Sequence, residues 1–130
     1  MSPRAAIGVG CKSNVGAETI ARVVRQALDR APSSSAAGLH TSSRKSGDKE
    51  LLEAARSLGL DLALHDDEAL RARDAEVVSR SQRIAEMFSV GSVAEAAALV
   101  GAGVGSHLIV PKFSADGVSC AIAVAPEDSA

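Results

Sequence analysis

Residues 5–30 read Ala-Ala-Ile-Gly-Val-Gly-Cys-Lys-Ser-Asn-Val-Gly-Ala-Glu-Thr-Ile-Ala-Arg-Val-Val-Arg-Gln-Ala-Leu-Asp-Arg, and their period changes part-way along. Ala5 to Gly10 is a short apolar run closed by glycine, the pattern of a buried strand. From Ala17 to Arg30 the spacing becomes helical: Ile20, Val23, Val24, Ala27 and Leu28 share one face. Asn14 or Gly16 is the expected cap, and Glu18 suits the dipole of the first turn. The loop between strand and helix gathers backbone N–H groups, the Cys11 thiol, the Lys12 ammonium and the side chains of Ser13 and Asn14. Such a place at a helix N-terminus is suited to holding an anion.

Strand-then-helix recurs downstream. A weak strand is expected over Ala37–Thr41, then a polar loop over Thr41–Lys49. An amphipathic helix follows over Asp48–Leu58, with Leu51, Leu52, Ala55 and Leu58 inward and Gly59 as its stop. Asp61–His65 reads as a short strand and Asp66–Arg71 as a short helix. Residues 72–79 are charged and ambiguous, and Ser81–Phe88 reads as helix. Ser92–Val100 carries the clearest start signal: Ser92-Val-Ala-Glu95 is a capping box, with Val93, Ala96, Ala97 and Val100 as its apolar face. Ser106–Val110 is expected as a strand closed by Pro111, Phe113–Gly117 as a turn, and Val118–Val124 as a last strand. The short link through Asp116-Gly117 predicts that the last two strands pair antiparallel. The alternation implies an α/β fold: a compact single-domain sandwich, residues 1–130, with a mostly parallel central sheet and flanking helices. Residues 1–4 and 126–130 are expected to fray.

Composition narrows function. With 46% apolar and 23% charged residues, the chain has the make-up of a globular domain. A net charge of -2 and an aromatic set of two phenylalanines, with no Trp or Tyr, argue against nucleic acid as a partner. No run of about 18 apolar residues suggests a membrane span, and the N-terminus lacks a signal-peptide layout. Two cysteines, Cys11 and Cys120, build no disulfide framework, so a reduced, cytoplasmic protein is expected.

The obvious chemical motifs fail. Gly8 and Gly10 supply Gly-x-Gly, but Ser13 stands where the dinucleotide pattern needs its third glycine, and no acidic residue ends the second strand. The phosphate-loop pattern is absent. Cys11 reads either as a thiol activated by the helix and Lys12 or as a small lining residue, and with no base in evidence the second is preferred. His40, His65 and His107 lie at or near strands, but their spacing matches no metal motif, so neither a metal nor a cofactor is expected. Ser81 interrupts the stripe formed by Val77, Ile84 and Phe88. Its hydroxyl either bonds backbone one turn earlier or faces a cleft. Ser92 and Glu95 are explained by capping. Lys12, Lys45 and Lys112 each follow an expected strand, and in a parallel sheet they would ring the carboxyl edge where ligands bind. Three such cations suit a polycarboxylate.

In order along the chain, Ile7-Gly-Val-Gly-Cys-Lys-Ser13, Lys45 ahead of Leu51-Leu-Glu-Ala-Ala55, Ser81, Gly91-Ser-Val-Ala-Glu-Ala-Ala-Ala-Leu99 and Leu108-Ile-Val-Pro-Lys112 resemble the CobE/CbiG C-terminal domain family of cobalamin biosynthesis. The resemblance runs from about Ala6 to Val124. Where family members often carry an acid two positions before the loop lysine, this chain has Ser43. The resemblance implies a compact α/β domain. In CbiG that domain ends a larger enzyme, which opens the lactone of a cobalt-precorrin and releases acetaldehyde. The shorter chain is similar to the stand-alone, CobE-like form, for which binding or handing on a precorrin-type tetrapyrrole is implied. Lactone hydrolysis and docking onto other pathway enzymes without ligand are the two alternatives. The residues expected to touch ligand are Gly10, Cys11, Lys12, Ser13, Lys45, Ser81 and Lys112.

Overall fold

The computed structural model describes residues 4–31, 35–88 and 90–125. The frayed ends expected at 1–4 and 126–130 fall outside them, Arg4 excepted, as do Pro32 to Ser34 of the first connector. Five strands form one sheet: β1 (Arg4–Cys11), β2 (Ser35–Ser42), β3 (Leu62–His65), β4 (His107–Ala115) and β5 (Val118–Val124). Five helices accompany it: α1 (Ala17–Arg30), α2 (Lys49–Leu58), α3 (Asp67–Ala72), α4 (Gln82–Phe88) and α5 (Val93–Ala102).

The strand order is β3-β2-β1-β5-β4. β1 pairs parallel with β2, and β2 with β3, but β5 is antiparallel to both β1 and β4. The sheet is therefore mixed, which corrects the expectation of a mostly parallel one. The reason lies in β5. It is a central strand, buried almost throughout because helices cover both faces of the sheet. An apolar run of that kind reads the same whichever way its neighbours point. The hairpin itself forms as expected, with φ of 53° at Asp116 and 84° at Gly117, both positive as a two-residue hairpin turn requires.

On one face, Ile7 and Val9 of β1 with Cys120 and Ile122 of β5 meet Ile20, Val23, Val24 and Ala27 of α1 and Leu51, Ala54 and Ala55 of α2. On the other face lies α5. Ala94, Ala98 and Leu99 pack on Ala121 and Ala123, while Val93, Ala96 and Ala97 pack outward under Leu70, Val77 and Val90. The single apolar face expected for α5 is thus too narrow. This helix is buried on both sides, hence apolar all round except at Glu95. Its approach to the sheet depends on Gly8, where a Cβ would lie 1.8 Å from the Ala94 carbonyl oxygen. Gly8 is a packing glycine rather than a loop glycine.

The end of β4 also differs. β4 does not stop at Pro111 but continues to Ala115. It is an edge strand, where a residue without N–H is tolerated, and its register slips between Val110 and Phe113. α1 starts at Ala17, as expected, with Gly16 as its cap; Gly16 has no side chain to cap with, and Glu50 of α2 accepts from Ala17 N at 3.0 Å and supplies the carboxylate.

Candidate functional site

The carboxyl ends of β1 and β2, the first turn of α5, α4 and the β4–β5 hairpin enclose an open cleft of about 940 Å³. All seven residues singled out from sequence line it: Gly10, Cys11, Lys12, Ser13, Lys45, Ser81 and Lys112. They reach it by different routes. Lys12 leaves the end of β1, its amide held by Gly117 O at 3.0 Å. Lys45 sits in a 3-10 turn, Ser43–Lys45, that closes β2, with the Ser42 hydroxyl accepting from Arg44 N. Its ammonium is 3.9 Å from Asp48. Lys112 does not stand at a strand's carboxyl edge, as expected. It lies inside β4, where the register slip leaves it out of the pairing with β5.

Ser81 follows neither expected course alone. It lines the cleft, and its hydroxyl accepts from Ile84 N at 3.3 Å, so it caps α4 instead of bonding backward. Val77 is outside the helix altogether, which is why the apolar stripe looked broken. Cys11 is not activated: burial pushes its thiol up, and Asp48 opposes the pull of Lys45. Cys120, deeper, is pushed up to about 12, mainly by burial. The thiol acts as a lining group.

The three histidines do not converge. His40 Nδ1 and His65 Nε2 are 2.8 Å apart with stacked rings, whereas His107 is exposed on β4 at the far side of the sheet. Burial, then His65, lowers His40 to about 4, and burial lowers His65 as well. Among the described residues no three His, Cys, Asp or Glu side chains are grouped to hold a metal ion.

Capping explains Ser92, whose hydroxyl accepts from Glu95 N at 3.1 Å, but not Glu95. Its side chain is 0% exposed and does not reach back to the cap. Oε1 accepts from Val78 N at 2.8 Å and Ser79 N at 2.9 Å, and Oε2 accepts from Lys112 N at 2.8 Å. A buried carboxylate with three N–H donors meets the condition for burying a charge.

The sequence matches the family described as Cobalamin synthesis G C-terminus over residues 5–123. The chain belongs to this family. CobE, a protein from the cobalamin (vitamin B12) biosynthetic pathway, is similar at 25% identity over 97% of this chain and 93% of that one, with a TM-score of 0.88. The cobalamin biosynthesis protein chiG from Agrobacterium tumefaciens is similar at 30% identity over 95% of this chain and 99% of that one, with a TM-score of 0.75. Among curated proteins none matches.

In this member of the cobalamin-synthesis family, sequence reasoning missed part of the cleft wall. Arg83, Ile84, Met87 and Phe88 line the cleft from α4. α4 is held there by Arg44, which donates to Met87 O at 2.8 Å, lies 4.9 Å over the Phe88 ring and pairs with Asp67. The stripe of Ile84 and Phe88 was legible, but nothing local says that it faces a cavity rather than a core. Four cations (Lys12, Lys45, Arg83 and Lys112) and one acid, Asp116, line the cleft among the described residues. Asp116 is engaged by Arg22 at 2.8 Å. No single described helix is long and apolar enough to cross a membrane.

Proposed function

We propose that this cobalamin-biosynthesis protein binds a precorrin-type tetrapyrrole intermediate in the cleft and hands it on. The observation that carries this reading is the cleft's pairing of shape and charge: about 940 Å³, a cationic rim of Lys12, Lys45, Arg83 and Lys112, and apolar walls from Val15, Ile84, Phe88, Val93 and Ala94. That volume is at the upper end of small-molecule sites. A precorrin carries acetate and propionate carboxylates around an apolar ring, so its rim would meet ammonium and guanidinium groups while its body covers aliphatic side chains. Each exposed pair is worth only ~0–1 kcal/mol, and affinity therefore rests on several together with apolar burial. The position at the carboxyl ends of parallel β1 and β2 supports the same reading. The free thiols of Cys11 and Cys120 accord with a cytoplasmic setting, where thiols stay reduced. Other enzymes of the pathway are the natural recipients of a bound intermediate.

Titration of the protein with purified precorrin intermediates, followed by visible absorbance and product mass, tests the proposal. A saturable spectral change without a change of mass is the expected result. Loss of an acetaldehyde unit would replace the carrier reading with lactone hydrolysis, and spectra unaffected by every intermediate would leave only docking between proteins.

A further inference from the structure

We infer that Glu95 is the positioning residue of the cleft, setting where Lys112 and Ser81 stand; the inference rests on the ligand reading above. β4 is an edge strand, and its pairing with β5 skips from Val110 to Phe113. Across that skip Pro111 has no N–H to donate, and the Lys112 N–H turns instead to Glu95 Oε2 at 2.8 Å. A bulge re-aims a side chain, and here the residue so placed lines the cleft. The other oxygen of the same carboxylate takes Val78 N and Ser79 N. Those residues lead directly into Ser81, whose own amide is held by Gly91 O at 2.9 Å and whose hydroxyl starts α4. One carboxylate therefore ties three walls together: the first turn of α5, the segment entering α4, and β4.

The chemistry requires an anion with two acceptor oxygens. Glutamine matches the shape, but it presents one oxygen and one NH2. With its oxygen toward Val78 and Ser79, the NH2 confronts the Lys112 N–H; turned over, it strands the other two donors. Alanine strands all three. A capping role predicts none of this, because the cap bond uses the Glu95 backbone N–H, which any residue retains.

The test uses uroporphyrin, a fluorescent tetrapyrrole polycarboxylate, with the whole chain. Its Kd is measured by fluorescence quenching for wild type, Glu95→Gln, Lys112→Met and the double variant. Glu95→Gln is expected to bind about tenfold to a hundredfold more weakly, on the scale of losing one charge-assisted contact. The double variant is expected to bind no more than about threefold more weakly than the weaker single variant, because both changes remove the same placed lysine. Hydrogen exchange at the Lys112 amide is expected to quicken. Should Glu95→Gln not fold, Ser79→Pro removes one of the three donors while the carboxylate stays, and weaker binding is again expected. Folded Glu95→Gln binding as wild type does, or losses that simply add, overturn the inference. Wild-type protein that does not quench uroporphyrin at all overturns the cleft reading and this inference with it, whereas normal wild-type binding with an indifferent Glu95→Gln overturns this inference alone.

Discussion

Replacing Gly8 by alanine adds a single methyl group and should nearly unfold the domain. A Cβ at this position would lie 1.8 Å from Ala94 O, 2.6 Å from Ala98 N and 2.8 Å from the Ala94 carbonyl carbon. Comfortable contacts between heavy atoms begin near ~3.5 Å, so strand and helix must part by more than ~1 Å. The atoms met are helix backbone and cannot rotate aside. α5 is itself wedged between the sheet and the layer of Leu70, Val77 and Val90. Overpacking a core costs ~1–3 kcal/mol where side chains can adjust, and we expect ~3–5 kcal/mol here because they cannot. With an unfolding entropy near ~270 cal/mol/K for a chain of this length, that lowers Tm by ~10–20 °C. Gly10, two residues on in the same strand, is the control. Its Cβ would meet only Val93 Cβ at 3.9 Å, an ordinary contact. Gly10→Ala should stay within ~1 kcal/mol of wild type. Urea and thermal unfolding followed by circular dichroism measure both. A Gly8→Ala protein within 1 kcal/mol of wild type, or a Gly10→Ala protein equally damaged, would refute the close approach of α5 as the reason for Gly8.

Two further outcomes follow from the cleft and the histidine pair. Lys12→Glu with Lys112→Glu should weaken tetrapyrrole binding by about a hundredfold while moving Tm by less than ~3 °C, since neither ammonium supports the core; wild-type affinity in that double variant would remove the cationic rim from the argument. His40 is lowered to about 4 in the folded state, and an unfolded imidazole titrates near ~6.5. Between these values the unfolded chain binds more protons, so stability is full above ~6.5 and falls as the pH drops toward 4. Because both rings keep some solvent contact, the loss should be ~1–2 kcal/mol rather than the whole shift. Urea midpoints at pH 7 and pH 4.5 measure it, and His40→Gln should flatten the slope; an unchanged slope would assign the pH dependence to other groups.

Where a segment's environment is local, its structure was legible. α1 and α2 begin and end as expected because their apolar stripes, the Asp48 cap and Gly59 act within a few residues, although Leu52, expected inward, is exposed and Ala54 is buried in its stead. Asp116-Gly117 specifies its own turn. What distant partners decide was not legible. Pro111 looks like a strand stop until β4 is known to be an edge. Glu95 looks like half of a capping box until Val78, Ser79 and Lys112 are brought to its oxygens. His40 and His65 are 25 residues apart in the chain and meet only because β2 and β3 pair.

The cleft divides in the same way. By itself the amino-acid sequence determined the strand–loop–helix beginning, the α/β class, the basic residues that follow β1 and β2, and the family likeness, because period, turn residues and ordered motifs are written in neighbouring positions. Only the tertiary structure decided that β5 runs antiparallel beside β1, that α4 contributes Arg83 and an apolar wall, and that a buried carboxylate holds Lys112. Those outcomes depend on which surfaces remain to be covered once the sheet has formed, and an apolar strand or an acidic side chain carries no local mark of the partner it will meet.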